Sequence, residues 1–95
     1  MDITFSKEWW DVDRDSVVFH ASFENKRIRC VVTYAFLAKP YSDFPREEKA
    51  LELFRTRRSE IESIIQDRIE KNAIERNPLD SVEEIVLQSA DPTVV

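Results

Sequence analysis

His20 and Cys30 are each the sole residue of their kind, and a histidine paired with a cysteine could supply a base and a nucleophile. Their place in the apolar pattern separates them. His20 alternates with Ser22 and Glu24 on one side of a strand and aligns with Arg27 and Arg29, whereas Cys30 lies between Ile28 and Val32 on the apolar side. Cys30 therefore reads as a small core residue, the usual role of a free cysteine, and His20 as a residue of the polar surface. Asp11, Asp13 and Asp15 have the one, three, five spacing that opens a calcium loop, in which carboxylate oxygens converge on a hard cation. Ser16 stands where such a loop needs glycine and Ser22 where it needs a closing glutamate, so a solvated acidic turn is the better account. No hydroxyl has a neighbourhood that supplies an oxyanion hole or an orienting acid, and Glu60 and Glu62 lie on different sides of a helix. No catalytic apparatus is found, and neither a metal nor a cofactor is expected.

Arg55, Arg57 and Arg58 form the one dense cationic cluster, with Arg46 and Lys49 nearby. Such a cluster could contact phosphates, but Arg57 and Glu60 are three apart and Arg58 and Glu62 four apart, the spacings of ion pairs along a helix. Trp9 and Trp10 are adjacent, so in extended chain they face opposite ways: one belongs to the core, and the other is free to cap the sheet or meet a partner.

The elements that position these residues follow from hydrophobic periodicity. Residues 16–34 alternate as an antiparallel hairpin closed at Asn25 and Lys26. That register pairs Phe23 with Ile28, Ala21 with Cys30, Phe19 with Val32 and Val17 with Tyr34, and makes one side wholly apolar. Residues 3–5 suggest a short first strand, 34–38 a short helix, and 40–45, with two prolines, a loop. Asp43 stands at an N-cap position, and apolar residues at Ala50, Leu51, Phe54, Ile61, Ile64, Ile65 and Ile69 predict helix from about 43 to 77, either continuous or bent near Arg57. Residues 84–89 read as a last strand, with Ile85 and Leu87 on one face.

The chain has 95 residues, 42% of them hydrophobic and 35% charged, which suits one small core with a charged surface; residues 1–91 are expected to be a single domain and 92–95 a loose tail. A net charge of −5 opposes broad attraction to nucleic acid or an anionic membrane. A lone cysteine, no apolar run of signal-peptide length at the start and none long enough to span a bilayer point to the cytoplasm. The chain contains no glycine, which excludes phosphate-cradling and dinucleotide loops and leaves Asn25, Asn72 or Asn77 to take any left-handed backbone.

Ile3 and Phe5, the Asp15-x-Val17-x-Phe19 entry to the hairpin, Cys30, the run Ala50-Leu51-x-Leu53-Phe54-x-x-x-Arg58-x-x-Ile61-Glu62 and the closing Ile85-x-Leu87 resemble a family of small uncharacterised bacterial proteins, catalogued as domain of unknown function fourteen eighty-eight. The resemblance implies a compact α+β domain and no activity. The expected architecture is two-layered, an antiparallel sheet of three or four strands covered on one face by one long or two shorter helices. The expected role is a non-catalytic binding or interaction module meeting another protein or a second protomer through Trp9, Trp10, His20, Arg27, Arg29 and Arg58. Nucleic-acid binding through Arg55, Arg57 and Arg58, or a small-ligand or enzymatic pocket between sheet and helix, are the alternatives.

Overall fold

A computed structural model describes residues 2–37, 46–71, 75–77 and 82–88. The α+β, two-layer class holds. In chain order the elements are β1 (Thr4–Phe5), β2 (Trp9–Asp11), β3 (Ser16–Phe23), β4 (Lys26–Thr33), α1 (Tyr34–Leu37), α2 (Arg46–Thr56), α3 (Arg58–Glu70), β5 (Glu75–Asn77) and β6 (Val82–Leu87). The sheet runs β1-β3-β4-β6-β5, with β2 also paired to β3. It has more strands than the three or four expected and is mixed, because β6 joins β4 in parallel. Helices between β4 and β6 carry the chain back to start β6 in the same direction, as a parallel pair requires.

The hairpin keeps its expected faces but not its expected pairs. Val17 faces Val32, Phe19 faces Cys30, Ala21 faces Ile28 and Phe23 faces Lys26. This is two residues away from the register read from the sequence. Side-chain period in a strand is two, so both registers segregate the apolar residues equally, and turn chemistry decides between them. The turn is Glu24 and Asn25, with φ of 48° and 63°. Two positive φ values give the tight turn whose twist matches the strands it joins. Asn25 takes left-handed backbone as expected, and Lys26 is released into the ladder. At the far end the ladder stops at Thr33, and the Tyr34 amide donates to the Asp15 carbonyl at 3.0 Å as α1 begins.

The helical region is two helices, not one, and it ends earlier than expected. Glu47 and Glu48 in the first turn of α2 and Arg55 in its last complement the helix dipole. Thr56 Oγ1 donates back to the Glu52 carbonyl at 3.0 Å, and Arg57, at φ −105° and ψ 17°, leaves helical geometry before α3 starts. Helix α3 buries Ile61, Ile65 and Ile69 and closes at Lys71, whose amide donates to the Asp67 carbonyl. Residues 75–77, expected to finish the helix at Asn77, instead form β5 against β6. The Asp43 cap, the 40–45 loop, Asn72 and the 92–95 tail lie outside the described residues.

Val17, Phe19, Ala21, Ile28, Cys30, Val32, Ile85 and Leu87 from the sheet meet Ala50, Phe54, Ile61, Ile65 and Ile69 from the helices, with Tyr34 and Leu37 of α1. Phe23, expected in the core, is half-buried at its margin. The helices thus cover one face of the sheet, and the alternate residues face the other way.

Candidate functional site

Strand alternation places Trp9, Val18, His20, Ser22, Arg27, Arg29, Val31, Glu84 and Val86 on the face opposite the described helices. Val18 and Val31 are nevertheless buried, while Trp9, paired beside Val18, is 42% exposed. The Trp9 and His20 rings lie 5.2 Å apart and tilted by 55°. His20 cannot shift away, because its amide donates to Ser6 Oγ and its carbonyl accepts from the Ser6 amide, each at 2.8 Å. Burial, then the charges of Arg27 and Arg29, hold the imidazole below its ordinary pKa of 6.5 and favour the neutral ring.

The cations of this face are unequally compensated. Arg14, from the turn between β2 and β3, reaches Glu84 Oε2 at 2.6 Å, and Arg29 contacts the same oxygen at 3.2 Å. Arg27 is exposed and has no carboxylate within ion-pair distance among the described residues. Lys26, paired with Phe23 on the other side of the sheet, approaches Glu83 to 4.0 Å. Ser22, Asn25, Lys26 and Arg27 line an open depression at the hairpin tip.

The six residues singled out from the sequence do not form one surface. Trp9, His20, Arg27 and Arg29 share the face that is helix-free among the described residues. Trp10 pairs with Val17 on the core side, where its ring meets Tyr34 edge-on at 6.5 Å. Arg58 is also on the core side, its guanidinium 5.3 Å from the Phe54 ring centre and bonded to Glu8 Oε1 at 2.6 Å, Glu62 Oε2 at 2.6 Å and the Ser6 carbonyl at 2.9 Å. Arg55 donates to Glu8 Oε2 at 2.8 Å, and Arg57 to Glu60 and the Phe36 carbonyl while stacking on the Phe36 ring. All three arginines of the cluster are thus engaged inside the molecule.

Glu8 was not legible as a partner. Its side chain is only 6% exposed. Burial pushes the carboxyl up, but hydrogen bonds from Arg55, the backbone and Arg58, with the Arg58 charge, together outweigh it and hold the group below its ordinary 4.5. A contact across some fifty residues leaves no spacing in the sequence to detect it.

Cys30 is fully buried opposite Phe19, and burial raises its thiol to about 12, which keeps the nucleophilic thiolate from forming. Asp11 Oδ1 accepts from the Asp13 and Arg14 amides, at 3.0 and 3.3 Å, so it builds the acidic turn. Among the described residues no group of three or more His, Cys, Asp or Glu is placed to hold a metal, and no helix is long and apolar enough to cross a membrane.

A model of the family described as "Protein of unknown function (DUF1488)" matches residues 3–77. A crystal structure of a protein of unknown function from the same family, from Shewanella loihica PV-4, superposes with a TM-score of 0.71 at 24% identity, covering 96% of this chain and 99% of the other. At that identity the likeness speaks for the fold. No curated protein matches the chain.

Proposed function

The chain belongs to the DUF1488 family of unknown function, and from that premise we propose that it is a non-catalytic module of the bacterial cytoplasm that binds another protein through the helix-free sheet face. The observation that carries this reading is Trp9. A large aromatic ring left 42% exposed, yet held against the His20 ring, is the kind of anchor around which interfaces concentrate their binding energy. The alternatives draw less support. Arg55, Arg57 and Arg58 are ion-paired with carboxylates of the same chain, so phosphates would have to compete with those contacts. The depression described at the hairpin tip is open and is not a pocket between sheet and helices.

Affinity capture from bacterial lysate with the wild type and Trp9→Ala in parallel tests the reading. The expected result is a specific protein retained by the wild type and lost from the variant, while both proteins give the same cooperative unfolding curve. Retention of the same proteins by both, or of none by either, overturns it.

A further inference from the structure

We propose that the strip formed by Trp9, His20 and Arg27 docks an acidic segment of another protein, with an apolar side chain of that segment on the Trp9 indole and a carboxylate at Arg27. This inference rests on the interaction reading above and specifies the partner's chemistry. The first support is the uneven charge of the face. Arg14 and Arg29 share Glu84, but Arg27 has no carboxylate among the described residues. Arg27 therefore places a positive charge with no carboxylate partner among the described residues at the hairpin end of the aromatic platform, with Glu24 in the adjoining turn, in a chain of net charge −5. A partner carboxylate there gains a guanidinium whose fork of donors meets no carboxylate among the described residues.

Register supplies the spacing. Trp9 lies beside Val18 and Arg27 beside Ser22, four residues further along β3. That is about 13 Å along β3, and β2 and β4 flank β3 on opposite edges, about 10 Å apart, so the two side chains are separated by roughly 16 Å, which an extended partner covers in about five residues. The apolar residue and the acid of the partner are thus about five positions apart. The same charge count disfavours a single-stranded nucleic acid, which needs a track of cations along several phosphates as well as stacking surfaces. Here Arg27 is followed by arginines already bound to Glu84.

The probes are capped twelve-residue peptides with one leucine followed, five positions on, by two glutamates, companions with lysines in place of the glutamates, and a thymidine oligonucleotide. Binding to the isotope-labelled full chain is followed by amide and indole chemical shifts. The expected result is saturable shifts of the Trp9 indole and the His20 and Arg27 amides with the acidic peptide alone. Arg27→Glu weakens that binding about fivefold or more and admits the lysine peptide, and Arg27→Gln falls between. Equal binding of both peptides, indifference to Arg27→Glu, preference for the oligonucleotide, or no shift with the acidic peptide overturns the proposal. If the acidic peptide fails while lysate capture still depends on Trp9, the charge assignment is wrong and the interaction module stands. If capture fails too, both fall.

Discussion

Arg58 shows why a charged residue can look like a surface site in one dimension and be a structural clamp in three. Its guanidinium lies over the Phe54 ring and ties Glu8 and the Ser6 carbonyl of the amino-terminal segment to Glu62 of α3. Planar arginine suits this position, because it stacks on an aromatic ring and donates in plane at once. Glu8 is the more sensitive half of the clamp, since its side chain is nearly buried while Arg55 and Arg58 retain contact with water. Glu8→Gln is expected to lower stability by about 1–3 kcal/mol near neutral pH, measured by urea unfolding. The pH dependence has a definite sign. With the folded carboxyl held below 4.5, the unfolded chain binds the proton first, so the contribution of Glu8 is complete above about 4.5 and is lost as pH falls through the folded value. The variant should show a shallower loss of stability in that acid window than the wild type. Equal slopes would show that Glu8 is not the titrating group.

At the scale of elements, the hairpin separates what alternation can specify from what it cannot. The two faces were legible because Val17, Phe19, Ala21, Ile28, Cys30 and Val32 repeat every second residue and all reach the core. Pairing was not, because a shift of two leaves every side chain on its own face. Local backbone geometry made the choice, through positive φ at Glu24 and Asn25. Glutamate is a poor occupant of that region, so Glu24→Asn combined with Asn25→Gly should stabilise the protein by about 1 kcal/mol, seen as a higher urea midpoint at unchanged slope. A loss of stability would contradict this turn. The break at Arg57 was legible as a gap in the apolar stripe, and it falls there. β2 and β5 were not, since three-residue strands carry too little pattern to stand out from a turn or a helix end. For the candidate site, the sequence showed that one of two adjacent tryptophans had to turn outward. Only the pairing of Trp9 with Val18 showed which one, and moved Arg58 to the other side.

For the molecule as a whole, the core depends on residues from both ends of the described chain. Ile85 is 1% exposed and pairs with Cys30 at the centre of the sheet. Ile85→Ala should therefore lower stability by about 2–5 kcal/mol, a large share of what a domain of this size possesses. Val12→Ser, at a side chain 76% exposed, should leave the urea midpoint within experimental scatter. Comparable losses from both would mean that the β4 and β6 contact is not central. The parallel union of these strands also orders events during synthesis. β4 leaves the ribosome early, yet the strand that completes its hydrogen-bonding edge is made only after α1, α2, α3 and β5. Until then a nascent hairpin rich in valine and phenylalanine presents an open edge to neighbouring chains. Lys26, Arg27 and Arg29 sit along that strand, where their mutual repulsion with another copy discourages strand-to-strand addition. Positive charge along an edge that waits for its partner strand is one way a sheet resists pairing with its own copies.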